Sequence, residues 1–272
     1  MNTHISESSE YKTESFLLPG IKDKVFVVTA GANGIGLAIS QVLTSLGAHV
    51  AICDIDHDAL DVAATLPNLY AVKADVSNPL EVHNFFSAIK SKFGLIDGLV
   101  NNAGIPGPTS SVEAIDPADW QKCIDICLTG QFLCAREAIP SLKENGGGSI
   151  VAMASAAGKF GYAYRTPYSA AKFGVIGLAQ SLAKELGPFN IRVNAVLPGI
   201  VEGPRMEKVI EDRADASGVS VDEMRNEYLR NISLRRMVSP FDVARTVAFL
   251  MSDTGRNLSG LSMTVDGNVE TL

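Results

Sequence analysis

The stretch Val25-Phe-Val-Val-Thr29-Ala-Gly31-Ala-Asn33-Gly34-Ile35-Gly36 joins a short apolar run to a turn that contains three glycines. The run predicts a buried strand, and the turn opens the helical pattern that follows. Glycines let a backbone approach a pyrophosphate closely, and the positive end of a helix favours its charge. The spacing is neither G-x-G-x-x-G nor that of a P-loop. An empty structural turn is the alternative, but the strand-turn-helix order favours a phosphate-binding turn formed by Gly31, Asn33, Gly34, Ile35 and Gly36.

The same alternation of a short β-branched run with a longer helical pattern continues along the chain. It predicts an α/β fold, with a single Rossmann-type doubly wound parallel sheet and helices on both faces. The predicted strands, about seven, are residues 25–29, 49–53, 70–73, 99–101, 149–153, 192–196 and 262–265. The predicted helices are residues 35–46, 58–65, 79–93, 117–142, 167–186 and 241–252.

The chain is predicted to form one domain, because no linker rich in proline or serine interrupts the alternation. Residues 1–21 are polar and of mixed charge, and we expect them to form a flexible leader before a domain over residues 22–272. Residues 199–238 contain no strand pattern. This segment follows the sixth predicted strand, which is where a substrate loop belongs.

Composition excludes several classes of protein. The net charge of −7 and the absence of a basic run argue against binding to nucleic acid. No apolar stretch approaches the ~20 residues that span a bilayer, and the first residues lack a signal-peptide pattern. Three of the four cysteines, Cys123, Cys127 and Cys134, fall at helical spacing, but no histidine lies near them. We therefore expect buried free thiols, no metal site and a reducing cytoplasmic location.

The second predicted strand is followed by an acidic residue, Asp54. A carboxylate at this position can accept a hydrogen bond from a ribose 2′-hydroxyl and would repel a 2′-phosphate. Asp56 and Asp58 follow, and no lysine or arginine lies in the turn around Asn33. The sequence therefore favours NAD over NADP, although a helix cap or a surface charge is the alternative for Asp54 alone.

Tyr168 and Lys172 stand four residues apart in a helical pattern, so their side chains share one face. A phenol titrates near pH ~10, and a neighbouring cation lowers that pKa. The pair could therefore form a general acid/base, with Ser155 thirteen residues before the tyrosine. Tyr-x-x-x-Lys is common in helices, and alone it more often marks an amphipathic tyrosine beside a solvated lysine.

Taken together, these features resemble the short-chain dehydrogenase/reductase family over residues 22–272. Each motif is short, but their order and spacing are specific to the family. The matching motifs are the turn at 29–36, Asp75-Val76, Asn101-Asn102-Ala103-Gly104, Ser155, Tyr168 with Lys172, Pro198-Gly199 and Val265-Asp266-Gly267.

The resemblance implies a role for each matching residue. Tyr168 would exchange a proton with the substrate oxygen, and Ser155 would hydrogen-bond that oxygen. Lys172 would bind the nicotinamide ribose and lower the pKa of the tyrosine. The cofactor contacts that the resemblance implies are Asp75 and Val76 at the adenine, with Asn102, Ala103, Gly104, Tyr168, Lys172, Pro198, Gly199 and Val201 along the rest of the molecule.

The resemblance also implies a reaction and an assembly. The expected reaction is NAD-dependent interconversion of a secondary alcohol and a ketone by hydride transfer. Relatives of this kind are usually homodimers or homotetramers, in which the helices predicted at 117–142 and 167–186 pair across an interface.

Three positions depart from the family pattern. Ala30 replaces the first glycine of the usual turn, which a slightly altered backbone could accommodate. Gly203 stands where many relatives have a threonine that binds the carboxamide of nicotinamide. Cys127 replaces a catalytic asparagine that holds a water beside the lysine. Because cysteine keeps the main-chain carbonyl, we expect activity with a differently arranged proton relay.

The predicted substrate residues are Tyr162, Arg165, Glu202 and Arg205. Arginine binds carboxylates through two parallel hydrogen bonds, which favours a small polar alcohol such as a hydroxy acid or a sugar derivative. The alternative for both arginines is a salt bridge at the surface or at an interface. A bulkier apolar alcohol, steroid-like or cyclic, is the alternative substrate.

Two other functions share some of these motifs. An extended-type epimerase or dehydratase also carries Tyr-x-x-x-Lys, but the turn spacing, the length and the terminal Val-Asp-Gly argue against it. A cofactor-binding regulator without catalysis would be expected to lack Ser155, Tyr168 or Lys172, and all three are present.

Overall fold

A single sheet of seven parallel strands forms the centre of the computed structural model, which describes residues 18–271. The strand order is β3-β2-β1-β4-β5-β6-β7. The α/β fold with one doubly wound sheet is therefore confirmed. The strands are β1 Val25–Thr29, β2 His49–Asp54, β3 Leu69–Lys73, β4 Gly98–Asn101, β5 Gly148–Met153, β6 Ile191–Pro198 and β7 Ser262–Val265.

Helices cover both faces of this sheet, so the central strands are buried on both sides and consist almost entirely of apolar residues. The helices are α1 Gly34–Ser45, α2 His57–Ala63, α3 Pro79–Phe93, α4 Pro117–Ile124, α5 Gly130–Glu144, α6 Thr166–Leu186, α7 Pro204–Ser217, α8 Val221–Arg230 and α9 Pro240–Met251. Along β1, Val27 faces a core formed with α3, α5 and α6, whereas Phe26 and Val28 face a core formed with α1 and α9.

The order of the strands reverses beside β1. The chain passes from β1 to β2 and β3 on one side, and then crosses to β4 and the later strands on the other side. Ligands of open α/β sheets bind at such a switch point, in the crevice at the carboxyl ends of the strands. Thr29 and Asn101, the last residues of β1 and β4, lie at this crevice.

The helix predicted over residues 117–142 is divided. A π-helical turn at Asp125–Thr129 separates α4 from α5 and contains Cys127. Such a turn accommodates one extra residue in a helix, and it changes which side chains face the core. Periodicity over 26 residues averages out a one-residue shift, which is why the sequence pattern did not reveal it.

The segment predicted at 199–238 forms two helices, α7 and α8, with their own small core that includes Ile210 and Met224. Its two ends are held together by a parallel bridge between Val201 and Val238. The N–H of Val238 donates to Ile200 at 2.8 Å, and the N–H of Glu202 donates to Val238 at 2.9 Å. The segment is therefore an excursion whose ends meet at one bridge, and a second bridge, between Ile232 and Val269, ties it to the C-terminal residues.

The domain begins earlier than the predicted boundary after residue 21. Ile21 has no exposed surface, and the carbonyl of Pro19 accepts a hydrogen bond from the N–H of Asp253 at 2.8 Å. Residues 18–21 therefore belong to the folded domain, because apolar side chains there have a core to pack against. Leader residues 1–17 lie outside the described residues. Between residues 18 and 271, no helix has the length and apolar character to cross a membrane.

Candidate active site

A cavity of about 520 Å³ lies at the carboxyl ends of β1, β4, β5 and β6, at the switch point of the sheet. It extends from the glycine turn and Asp54 at one end to Tyr168 and the first residues of α7 at the other. The predicted site residues that line it are Asn33, Gly34, Ile35, Asp54, Asn102, Gly104, Ser155, Tyr162, Arg165, Tyr168, Lys172, Pro198, Gly199, Val201, Glu202 and Arg205.

Five predicted cofactor residues do not line the cavity: Gly31, Gly36, Asp75, Val76 and Ala103. Gly31 and Gly36 belong to the glycine turn and lie behind the residues of that turn that line the cavity. Asp75 accepts hydrogen bonds on one carboxylate oxygen from the N–H and the hydroxyl of Ser77, at 2.8 and 2.7 Å. Val76 packs against Gly130, where a Cβ would lie 2.9 Å away. Both side chains thus have structural contacts outside the cavity.

The glycine turn is held against β4 by side-chain hydrogen bonds. The hydroxyl of Thr29 accepts from the N–H groups of Asn102 and Ala103, at 2.9 and 3.0 Å. The amide of Asn102 donates to the carbonyls of Thr29 and Ala30 at 3.0 and 3.1 Å. A Cβ on Gly36 would lie 2.0 Å from the carbonyl oxygen of Ala30, so no other residue fits there. The role of Thr29 follows from this packing, which no sequence motif indicates.

The backbone conformation at Ala30 shows why alanine is less favourable there than the glycine usual in the family. Ala30 has φ +49°, in the left-handed region that favours glycine. The usual glycine would adopt this conformation without strain, and alanine adopts it at a cost. Gly34 also lies in this region, at φ +51°, with open space for at least 4 Å around the place that a Cβ would take and with its backbone on the cavity.

Asp54 ends β2 and closes one end of the cavity. Its carboxylate accepts from the N–H of Ala32 at 3.3 Å, and from those of Ile55 and Asp56 at 2.8 and 3.2 Å. These bonds fix the carboxylate at the mouth of the glycine turn and leave it lone pairs for further donors. Within residues 18–271, no salt bridge to Asp54 is present.

Lys172 lies beneath Tyr168 on α6, one helical turn further along. It is only 3% exposed, and its ammonium donates to the carbonyl of Met153 at 2.7 Å. The same carbonyl accepts from the amide of Gln131 at 3.1 Å. The ammonium also lies 5.7 Å from the centre of the Tyr168 ring. One of its three N–H groups is used in this way, so two remain for a ligand.

The charge environment of Tyr168 favours its phenolate. Burial raises the pKa of the phenol, but the cations of Lys172, Arg205 and Arg165 and a hydrogen bond from Ser155 together lower the pKa below its usual value of 10. Arg165 lies 4.5 Å and Arg205 lies 6.0 Å from the centre of the tyrosine ring. The expectation of one nearby cation was therefore incomplete, because two arginines add to the lysine.

Ser155 lies two residues beyond the end of β5 and opens a short 3₁₀ turn over Ala156–Gly158. Its hydroxyl oxygen accepts from the N–H of Ala157 at 3.2 Å. This bond occupies a lone pair, so the hydroxyl proton is the one that Ser155 donates to the phenol oxygen of Tyr168. Ser155 and Tyr168 are thus brought together although they are thirteen residues apart.

Cys127 has no exposed surface and does not line the cavity. Its thiol exchanges hydrogen bonds with the backbone of Ile105, accepting from the N–H and donating to the carbonyl, both at 3.4 Å. A hydrogen bond with Cys123 lowers the pKa of the Cys127 thiol and raises that of Cys123. The thiol therefore anchors the loop after β4, which positions the wall beside Lys172.

The substrate end of the cavity contains residues that the sequence patterns did not single out. Ile200, Met206 and Val209 supply apolar lining from the start of the excursion. Gly203 also lines it, and its φ of +135° disfavours the threonine found in many relatives. The amphipathic pattern of residues 204–217 could have indicated α7, but not which of its side chains face the site.

The model for the family described as enoyl-(acyl carrier protein) reductase matches residues 29–269 of the chain. This match covers the sheet, the cavity and the excursion together. The chain belongs to the short-chain dehydrogenase/reductase family. Its relatives are dehydrogenases and reductases of comparable length, so this family member is an oxidoreductase.

Two relatives illustrate the range of the family. The chain is 35% identical to cis-4-hydroxycyclohexanecarboxylate dehydrogenase of Sinomonas cyclohexanicum, over 90% of this chain and 96% of the relative. It is 34% identical to 3alpha-hydroxysteroid dehydrogenase of Mediterraneibacter gnavus, over 91% of this chain and 97% of the relative. Both relatives align over nearly their full length.

A solved structure of NAD+-bound xylitol dehydrogenase superposes with a TM-score of 0.89. It is 28% identical and covers 91% of this chain and 99% of its own chain. The similarity therefore extends over the whole fold of this short-chain dehydrogenase/reductase, including the strands that bear the cavity.

Proposed function

We propose that this oxidoreductase interconverts a secondary alcohol and a ketone on a small polar substrate, with NAD as cofactor and Tyr168 as general acid/base. The observation that carries this proposal is the convergence of Ser155, Tyr168 and Lys172 on one cavity at the switch point. Relatives named as dehydrogenases of hydroxylated compounds support the reaction type.

The walls of the cavity fit a dinucleotide. Gly34 exposes its backbone at the start of α1, where the helix favours negative charge, and Gly36 lets the turn pack closely against the carbonyl of Ala30. Asp54 fixes its carboxylate at the same end, where it can accept from ribose hydroxyls. When bound, the nicotinamide of this cofactor supplies the hydride acceptor or donor.

The residues of the chain handle the proton. Ser155 donates to the oxygen of the substrate and holds it beside the phenol of Tyr168. In the oxidative direction the phenolate removes the hydroxyl proton, and in reduction the phenol returns a proton to the carbonyl oxygen. Lys172, held by Met153, uses its free N–H groups for the ribose and keeps a positive charge beside Tyr168.

Substitution of Tyr168 tests the reaction. Tyr168→Phe removes the proton acceptor but keeps the ring between its neighbours, so turnover of secondary alcohols with NAD should fall by about 10²–10⁴-fold. Binding of NADH, followed by fluorescence, should persist because the cofactor contacts remain. A variant that turns over alcohols at the wild-type rate would refute the role of Tyr168.

Fluorescence titration with both reduced cofactors tests the choice of NAD. Asp54 would face the extra phosphate of NADPH, so NADH should bind more tightly, and Asp54→Asn should narrow the difference. Tighter binding of NADPH to the wild-type protein would exclude NAD as the preferred cofactor.

A bulkier apolar alcohol is the second candidate substrate. Apolar residues on α7 line the substrate end, and one relative is named for a steroid. A panel of secondary alcohols, hydroxy acids, sugars and steroids with NAD separates the two candidates. Preference for uncharged apolar alcohols would favour the second.

A further inference from the structure

Arg165 is a buried cation that lies close to two aromatic rings. It is 4% exposed, and its guanidinium lies 4.8 Å from the ring centre of Tyr162 and 4.5 Å from that of Tyr168. A guanidinium donates its hydrogen bonds from its planar edge. That edge gives one bond, at 2.7 Å, to the carbonyl of Pro106.

The remaining edge of Arg165 is unsatisfied. Its Nε is buried and, within the described part of the chain, has no hydrogen-bond partner. No carboxylate between residues 18 and 271 forms a salt bridge with this guanidinium. A buried charge without a counter-ion is costly, and a ligand that supplies one is bound with a corresponding gain.

Arg205, at the start of α7, brings a second guanidinium to the same ring. It lies 6.0 Å from the centre of Tyr168 and donates to the carbonyl of Gly104 at 3.0 Å. Both arginines are therefore anchored to one loop, residues 104–106, and both line the cavity.

The acids that line the cavity do not neutralise these cations. They are Asp54 and Glu202. Asp54 lies at the opposite end, bound to three backbone N–H groups. Glu202 is exposed and makes no salt bridge with Arg165, Arg205 or Lys172 in the described structure. The substrate end is thus strongly positive.

We propose that Arg165 and Arg205 form a carboxylate subsite, and that the substrate is a compact hydroxy or keto acid. This inference rests on the proposed function and narrows it, since an uncharged sugar would leave both cations uncompensated. The carboxylate lies against the part of the Arg165 guanidinium that lines the cavity, while the hydroxyl of the same molecule reaches Ser155 and Tyr168. Both arginines lie against the Tyr168 ring, which restricts the acid to a short separation between its two groups.

Binding of two substrate analogues tests the subsite without requiring turnover. Cyclohexanecarboxylate and cyclohexanecarboxamide have nearly the same shape and lack a hydroxyl, but only the first is an anion. Isothermal titration calorimetry is carried out on the full chain, with and without saturating NAD. We expect the carboxylate to bind at least about tenfold more tightly than the amide, since its hydrogen bonds to arginine are charge-assisted.

Variants of the two arginines locate the binding. Arg165→Gln and Arg205→Gln should each weaken carboxylate binding by about tenfold and leave amide binding nearly unchanged. Arg165→Lys keeps the charge without the planar fork and should be intermediate. Arg245→Gln, at an exposed arginine on α9, is the matched control and should bind like the wild type.

Equal affinity of the wild type for the acid and the amide would overturn the inference. So would unchanged acid binding by Arg205→Gln together with a folded Arg165→Gln. If Arg165→Gln fails to fold, the acid–amide comparison and Arg205→Gln decide the question. Turnover of alcohols with NAD is measured separately, so loss of the proposed reaction and loss of the carboxylate subsite are distinguished.

Discussion

The pKa of Tyr168 depends on neighbours that come from three parts of the chain. Lys172 is on its own helix, Arg165 precedes that helix, and Arg205 begins α7. Burial alone would raise the pKa of the phenol, and only the three cations with Ser155 reverse that effect. The protonation state of this one residue therefore reports on the assembly of the whole site.

The pH dependence of turnover should follow the lowered pKa of Tyr168. Oxidation uses the phenolate, so its rate should rise as the pH increases through a pKa below 10, whereas reduction should fall over the same range. Arg165→Gln removes one of the cations that favour the phenolate. The rising part of the pH profile for oxidation by this variant should therefore move to higher pH by about one unit. Profiles of kcat/KM for both directions measure the shift.

Arg245→Gln serves as the control for these profiles, because its side chain is exposed on α9 and pairs with Asp242. Its pH profile for oxidation should coincide with that of the wild type. If the pH profile of Arg165→Gln for oxidation coincides with that of the wild type, this arginine does not influence the pKa of Tyr168.

Strain at Ala30 predicts a stabilising substitution. Ala30→Gly removes a side chain from a left-handed backbone, and the free energy of unfolding should increase by about 1 kcal/mol. The matched variant is Gly34→Ala, at nearly the same φ and with open space around the added methyl. The free energy of unfolding of Gly34→Ala should decrease by a similar amount. Urea denaturation measures both, and equal stability of all three proteins would contradict the strain argument.

At the scale of single residues, the sequence predicted those whose spacing is local. Tyr168 and Lys172 follow from an i, i+4 pair, and Asp54 from the end of a strand. The position of Arg165 close to two rings depends on how the loop before α6 folds over Pro106, which no local pattern encodes. The role of Asp75 at the adenine stays a prediction, and one oxygen of its carboxylate accepts hydrogen bonds from Ser77.

The π-helical turn between α4 and α5 is the element that most directly affects the site. It places Cys127 against the backbone of Ile105, one residue beyond Gly104, whose carbonyl holds Arg205. Helical turns of this type often occur at functional sites. A cysteine in place of the usual asparagine therefore acts here through the loop that it anchors.

Restoring the family residue at this turn should bring little benefit. Cys127→Asn introduces a larger polar group into a site with no exposed surface. We therefore expect its turnover to stay within about tenfold of the wild-type rate or to fall below that range. Cys127→Ser keeps a donor and an acceptor for Ile105 and is the matched control. Steady-state kinetics measure both, and a gain of orders of magnitude in Cys127→Asn would show that the thiol impairs the proton relay.

Element boundaries were predicted well where a strand or a cap limits them. The strands match the predicted bounds to within two residues at each end. The division between α4 and α5 and the bounds of α7 and α8 were not predicted, because they depend on tertiary contacts that an amphipathic pattern alone does not give.

At the scale of the whole molecule, the helices α5 and α6 each expose a large aromatic side chain. Phe132 on α5 is 47% exposed and Phe173 on α6 is 48% exposed. These helices are the ones for which the family resemblance implied pairing between subunits. We propose that they cover each other in a homodimer or homotetramer, where both rings would lose contact with water.

Charged substitution tests that assembly. Phe132→Glu with Phe173→Glu would bury carboxylates at the proposed interface, so the protein should dissociate to monomers at micromolar concentration. Val62→Glu, on exposed α2, is the control and should keep the wild-type mass. Light scattering after size-exclusion chromatography measures both. An unchanged mass for the double variant would place the interface elsewhere.

The bridge between Val201 and Val238, which joins the two ends of the segment predicted at 199–238, has a consequence for how such proteins diversify. A second bridge, Ile232 to Val269, ties the same segment to the C-terminal residues, so the module that can be exchanged consists of residues 202–237 together with 267–270. The rest of the domain contains the sheet, Asp54 and Tyr168, whereas the module contains Arg205 and the apolar lining of α7. A chimera that receives both stretches from a relative should therefore acquire a new substrate range while its preference between NADH and NADPH stays the same.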